Sequence, residues 1–281
     1  MMCAIEHIEL RWERVDGSWV AGSAYLPPAP RAVVVCFPGG RLDRSYWDLQ
    51  VSGDETRSYS FSHFAAMAGV AVITIDHLGT GDSAREVLDL SPSAVAQANA
   101  EATASFVDQL GLADVPAAGV GHSMGAALLL RQQMISPFPR LALLGYPSRE
   151  LVMWRPGGSR WLLTDSNADY SRHDLAYTNV GPRLEGPLLT AVRNATTPVP
   201  DELGSWVSRP GAVAEQIRAL DVPVFLGFGE RDVVRDPWEE PSAYVNAPQV
   251  QLEILEDSHH CHNLSPARRS LWQALIVWVS T

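Results

Sequence analysis

Only three cysteines occur in 281 residues, Cys3, Cys36 and Cys261, and their spacing is irregular. A disulfide framework is therefore not expected, and a reducing, cytoplasmic setting is. No apolar run approaches the ~20 residues that a membrane-spanning helix needs. Residues 1–15 alternate charged with apolar side chains, where a secretory leader would carry an apolar stretch of about 7–15 residues. Positive charge is also in deficit. Lys and Arg number 21 against 32 Asp and Glu, a net charge of -11. Such a surface repels the phosphates of nucleic acid and of anionic membranes, so neither is expected as a partner. No low-complexity tract or internal repeat interrupts the chain. Gly79-Thr80-Gly81 follows an apolar run, but it lacks the third glycine of a dinucleotide fingerprint and the Gly-Lys-Ser/Thr of a phosphate loop. No cofactor is implied.

What is present is an alternation of strand and helix. Residues 5–14 and 18–26 alternate apolar with polar side chains around Asp16-Gly17, the pattern of a hairpin with one wet face. Continuous apolar runs of strand length follow at residues 32–37, 70–75, 117–121, 141–145, 222–227 and 250–255. They read as strands covered on both faces. Helical stretches lie between and after them, at about 59–68, 91–110, 126–135 and 267–279. Residues 148–220 break this rhythm. They carry Trp154, Trp161 and Trp206 with several prolines and glycines. A structureless loop of that length is improbable inside a domain. A mainly helical insertion is expected, capping the strand ends, with its tryptophans forming a packing seam or a substrate wall. The expected division is a core of residues 1–148 and 221–281 and a cap of residues 149–220.

The chain is organised around Gly121-His122-Ser123-Met124-Gly125, between a short apolar run and a helical one. A serine held on a tight strand-to-helix turn needs glycine neighbours, because Cβ atoms there would strike the adjacent backbone. The start of the following helix aims free N–H groups at whatever sits on the serine oxygen. A second donor is expected from Pro38-Gly39-Gly40-Arg41, just past a buried strand. Gly40 and Met124 are assigned as the oxyanion donors, with Gly39 and Arg41 as alternatives to Gly40. Serine also needs a base within reach and a carboxylate to orient that base. Three strand ends carry Ser123, Asp232 and His260, in the order Ser…Asp…His. Asp76 is read as a structural carboxylate that ties loop N–H groups, and His77 has no evident partner. Tyr46 and Trp47 either line the site or pack locally.

Gly-His-Ser-Met-Gly at 121–125, Asp-His-Leu-Gly-Thr-Gly-Asp-Ser at 76–83, Gly-Glu-Arg-Asp-Val-Val at 229–234 and His-Cys-His-Asn at 260–263 together resemble the α/β-hydrolase superfamily. The resemblance spans nearly the whole chain outside residues 149–220. It implies an eight-stranded, mostly parallel sheet with helices on both faces and a mainly helical cap. The family pattern puts the base on His260. His259 is its rival, His262 stands further into the loop, and Glu230 is the rival to Asp232. A serine nucleophile argues against family haloalkane dehalogenases and epoxide hydrolases, which use Asp there. Phe37-Pro38-Gly39-Gly40 replaces the His-Gly that often precedes the oxyanion turn, as in type II thioesterases, but their Leu-Pro-Gly-Arg is absent. The resemblance thus implies a serine hydrolase acting on a small acyl substrate, an ester or lactone. Alternatives are an acyl thioesterase and a non-enzymatic ligand-binding protein on the same fold. A zinc site at His259, His260, Cys261 and His262 is disfavoured, because adjacent loop residues rarely converge on a tetrahedral ion.

Overall fold

In the computed structural model, residues 5–164, 172–181 and 184–281 are described. Cys3 and residues 165–171 and 182–183 of the expected cap lie outside them. Ten strands are formed among the described residues: β1 Glu6–Glu13, β2 Trp19–Leu26, β3 Ala32–Phe37, β4 Val70–Ile75, β5 Ala117–His122, β6 Leu141–Leu144, β7 Val152–Trp154, β8 Arg160–Leu162, β9 Val224–Arg231 and β10 Val250–His259. Eight of them make one sheet in the order β1-β2-β4-β3-β5-β6-β9-β10. β1 and β2 are antiparallel to their neighbours, and β4 through β10 in that order are parallel.

Among the described residues the α-helices are α1 Phe61–Met67, α2 Pro92–Gln109, α3 Met124–Gln133, α4 Arg172–Val180, α5 Gly186–Asn194, α6 Asp201–Val207, α7 Ala214–Ala219 and α8 Arg268–Val279. Alternate residues of one strand feed opposite cores, because strand side chains point to opposite faces. Val33, Val35 and Phe37 of β3 join α2 and α3 on one side. Val34 and Cys36 join α1 and α8 on the other. The layers are therefore helix, sheet, helix. Two helices start on serine caps, Ser60 for α1 and Ser91 for α2, whose hydroxyls accept from His63 N–H and Ala94 N–H.

Two expectations change in detail. The first hairpin does not have one wet face along both strands. β1 is largely exposed, but β2 is buried over all but its ends, since β4 flanks it and helices cover it. The described residues of 149–220 hold four helices and also the antiparallel β7–β8 hairpin, whose short runs show no strand period in the sequence. Leu203, Trp206, Val213 and Ile217 from this segment pack into the same hydrophobic cluster as β3, β6 and α3. Among the described residues no helix is long and apolar enough to cross a membrane.

Candidate active site

β5 is followed at once by Ser123, which has φ 53° and ψ -120°, a left-handed backbone that a serine adopts only when its surroundings hold it. The neighbouring glycines make this possible. A Cβ on Gly121 would lie 2.5 Å from the Ala126 Cα, and one on Gly125 would lie 2.3 Å from the Phe37 carbonyl oxygen. The turn is anchored by Ser123 N–H donating to the Leu144 carbonyl at 2.8 Å. Helix α3 starts at the next residue.

Three strand ends bring Ser123, His260 and Asp232 into one line. Ser123 Oγ and His260 Nε2 are 2.9 Å apart, and His260 Nδ1 lies 2.6 Å from Asp232 Oδ1. A carboxylate can only accept, so Nδ1 carries the proton and Nε2 is left bare toward the serine hydroxyl. The carboxylate of Asp232 is fully buried. Burial alone would raise its pKa, but the imidazoles of His260 and His262 and their hydrogen bonds outweigh this and hold it far below the usual carboxylate range. Val233 N–H and Gly229 N–H complete its shell at 2.7 and 3.0 Å.

The rivals occupy other places. His259 packs edge-on against Tyr177 and beside Gly181. His262 Nε2 donates to Asp232 Oδ2 at 2.6 Å, on the far side of the carboxylate from His260. Glu230 is exposed and accepts from Asp257 N–H at 3.1 Å. His259 thus packs on Tyr177, whereas His260 and His262 both reach the Asp232 carboxylate. Among the described residues no group of three or more His, Cys, Asp or Glu is placed to hold a metal ion.

Gly40 lies against the first residue of α3: a Cβ added to it would meet Met124 Sδ at 3.6 Å and Met124 Cβ at 3.8 Å. Neither Gly40 N–H nor Met124 N–H has a hydrogen-bond partner among the described residues. Gly39 is the more constrained of the pair, because a Cβ there would lie 2.7 Å from His122 Nδ1 and 3.1 Å from Ser123 Cβ. Arg41 has φ 67°, and its carbonyl accepts from Thr197 N–H at 3.0 Å.

Several supporting residues were not assigned a role from sequence. His122 Nε2–H donates to the His260 carbonyl at 2.8 Å, and its ring stacks on Tyr46 with centroids 4.8 Å apart. Burial, then the neighbouring imidazoles, push its pKa well down, so it stays neutral. Its place inside the serine motif was the available signal. Tyr46 is a buried brace rather than a wall, its hydroxyl accepting from Asn263 N–H at 3.2 Å and its carbonyl from Asn263 Nδ2 at 3.0 Å. His77, expected to be partnerless, bridges two groups. Its Nε2–H donates to the Pro38 carbonyl at 3.0 Å, and its Nδ1 accepts from Asn99 Nδ2 at 2.9 Å. That fixes the peptide just before the Gly39-Gly40 turn. Asp76 does accept from loop N–H groups, those of Arg44 and Asp82, at 2.6 and 2.9 Å. Its pKa is raised to about 6 by burial, against the pull of Arg44.

Residues from 149–220 reach the triad from behind. Trp154 Nε1–H donates to the Asp232 carbonyl at 2.8 Å. His260 N–H and Cys261 N–H donate to the carbonyls of Thr178 and Asn179 at 3.2 and 2.7 Å. No sequence pattern marks these contacts.

A family model described as "Alpha/beta hydrolase family" matches residues 34–269. The sequence matches no curated protein. Solved structures of similar fold include an esterase (EaEST) from Exiguobacterium antarcticum, 17% identical, with a TM-score of 0.68 over 96% of this chain and 99% of that one. A highly thermostable carboxyl esterase from Bacillus coagulans is 15% identical, with a TM-score of 0.68 over 98% of each chain. A haloalkane dehalogenase variant from Bradyrhizobium elkanii is 13% identical, with a TM-score of 0.67 over 98% of this chain and 97% of that one. At these identities the likeness is one of fold.

Proposed function

The chain belongs to the alpha/beta hydrolase family, and we propose that it is a serine hydrolase that cleaves a carboxylic ester or lactone through an acyl-enzyme on Ser123. The observation that carries this reading is the unbroken run Ser123 Oγ to His260 Nε2 at 2.9 Å and His260 Nδ1 to Asp232 Oδ1 at 2.6 Å, with the serine on its strained turn. His260 Nε2 takes the hydroxyl proton as Ser123 Oγ bonds to the acyl carbon. Asp232 holds the imidazole in the right tautomer and stabilises it once charged. The oxyanion is received by the N–H groups of Met124 and Gly40. The proton passes from His260 to the leaving alkoxide, the acyl–oxygen bond breaks, and an alcohol departs. Water, deprotonated by His260, then attacks the acyl-enzyme and returns Ser123 and a carboxylic acid.

Residues 149–220 act as the cap in this reading. Thr197 N–H is bound to the Arg41 carbonyl, residues 42 and 196 form an antiparallel bridge, and a Cβ on Gly40 would meet Val199 Cγ2 at 3.7 Å. The cap thus lies directly on the oxyanion turn. A reducing, cytoplasmic location accords with Cys36 and Cys261, which stand as buried thiols with no disulfide partner among the described residues. The test is turnover of matched short and long acyl esters, lactones and acyl thioesters by the wild type and Ser123→Ala. Ester or lactone turnover that vanishes in Ser123→Ala is expected. Turnover that survives the substitution would sink the mechanism.

A further inference from the structure

The carboxylate of Asp232 has room for about four donors, and four are present. Oδ1 receives His260 Nδ1–H and Val233 N–H, and Oδ2 receives His262 Nε2–H and Gly229 N–H. Two of the four are imidazoles, each at 2.6 Å, and the hydrolase mechanism above uses only one. His262 is fully buried and does not touch Ser123. Its other nitrogen, Nδ1, has no hydrogen-bond partner among the described residues.

These contacts decide which form His262 takes. Donation to a carboxylate requires a proton on Nε2. A second proton, on Nδ1, would place an unpartnered N–H in a dry site. It would also put two cations on one carboxylate whenever His260 becomes charged. The groups facing the ring do not offer relief. They are Asp232, His260, the neutral His122 with centroids 5.5 Å away, the Tyr46 hydroxyl and the Cys261 thiol. Tyr46 and Cys261 are held protonated by burial, the thiol being pushed up to about 12.

We propose that His262 is a positioning residue: a neutral second histidine that grips Asp232 by the oxygen His260 does not use. The inference rests on the serine-hydrolase reading. The grip has two consequences. It stops the carboxylate from rotating about its Cβ–Cγ bond, which keeps Oδ1 aligned on His260. It also draws negative charge away from Oδ1, so the carboxylate stabilises the His260 cation less than an ungripped one would. The acid limb of the pH–rate profile therefore lies lower than it would without His262, and the enzyme keeps a free base at lower pH.

The experiment measures kcat and KM across pH for the wild type, His262→Ala, His262→Gln and Ser123→Ala, using the best ester of the panel. His262→Ala is expected to lower kcat about tenfold or more, with KM within about twofold. Its acid limb should move to higher pH by about half a unit or more. His262→Gln keeps an N–H donor but cannot titrate, and should restore the limb and most of kcat. A folded His262→Ala enzyme with an unmoved acid limb overturns the proposal, whether or not its rate falls, because a merely structural residue would behave that way. Should His262→Ala fail to fold, histidine ¹⁵N NMR of the wild type decides. Nε2 of His262 protonated and Nδ1 bare through the neutral range is the expected result, and the reverse tautomer or a doubly protonated ring overturns the proposal. A wild-type rate unaffected by Ser123→Ala strikes at the serine-hydrolase reading instead, and the NMR result then decides the matter of His262 by itself.

Discussion

Replacing Trp154 with phenylalanine tests whether residues 149–220 hold the Asp232 loop in place. The substitution keeps an aromatic ring beneath the Arg160 guanidinium, which sits 5.4 Å from the Trp154 ring centroid. It removes the indole N–H that donates to the Asp232 carbonyl at 2.8 Å. A net hydrogen bond is worth about 1 kcal/mol, and a carbonyl left dry costs about 1–3 kcal/mol. Since Asp232 is buried, a loss of about 2 kcal/mol in unfolding free energy is expected. The effect on rate follows from position. The carbonyl belongs to the residue whose carboxylate sits 2.6 Å from His260, so a small shift of this loop misaligns the base. A fall in kcat of several-fold, up to about tenfold, with little change in KM is expected. Denaturant unfolding and steady-state ester hydrolysis would measure the two effects. Trp238→Phe is the control, since that side chain is 75% exposed and should change neither quantity. If Trp154→Phe matches the wild type in both stability and kcat, the inserted segment does not hold the acid loop through this bond.

Three further outcomes follow from the same geometry. Gly125→Ala places a Cβ 2.3 Å from one backbone carbonyl and 2.5 Å from the next, those of Phe37 and Pro38. It should cost about 1–3 kcal/mol or more in thermal or denaturant unfolding and remove most turnover. Gly39→Ala and Gly40→Ala should part company. The first meets His122 Nδ1 at 2.7 Å and the second makes only ordinary contact with Met124 at 3.6 Å, so assays of folding and turnover should find the first defective in both and the second normal in stability. Stability should fall as pH drops below about 6.5, because His77 and His122 are held neutral by burial when folded and take up protons when unfolded. The depressed Asp232 adds to this below its ordinary value of 3.8. Asp76 acts in the opposite sense, favouring the fold at low pH and losing that contribution as pH rises to about 6. Glu240, also raised by burial, acts in the same sense as Asp76, but two such carboxylates against four histidines lowered by burial, His63, His77, His122 and His259, still leave the unfolded chain binding more protons. Denaturant midpoints that stay level between about pH 7 and about pH 5 would refute the linkage.

The fold was legible because its strands are continuous apolar runs and its turns carry glycine, proline and serine. Those signals are local, and Ala32–Phe37 and Val70–Ile75 stand where they were read. Ser123, Asp232 and His260 were legible for a related reason: each lies at or just past a strand end, and parallel strands gather their ends at one edge of the sheet. Contacts made at long range were not legible. His77 could not be given a partner from sequence, because the Pro38 carbonyl it binds lies 39 positions away. Trp154 shows no pattern that points to Asp232, 78 positions on. The β7–β8 hairpin was missed because three residues per strand are too few for a period to register.

These unread contacts bear on how a site of this kind is built. The sheet delivers three side chains to one edge, but it does not by itself hold their loops. The acid loop is held by the Trp154 indole and by Val152 N–H donating to the Val233 carbonyl. The histidine loop is held by Thr178, Asn179 and His122. Most of these groups come from the inserted segment, and Thr178 Oγ1 ties two of its parts together by accepting from Trp154 N–H at 2.9 Å. Removing residues 149–220 would therefore strip donors and acceptors from both loops at once. Variation in such a segment then has two outlets. On the proposed reading, changes near Val199, which lies against Gly40, should alter what the site admits. Changes near Trp154 and Thr178 alter how well aligned Asp232 and His260 remain. If the proposed reading holds, the two classes should separate in KM and kcat respectively, and steady-state kinetics of variants at the two places would measure it.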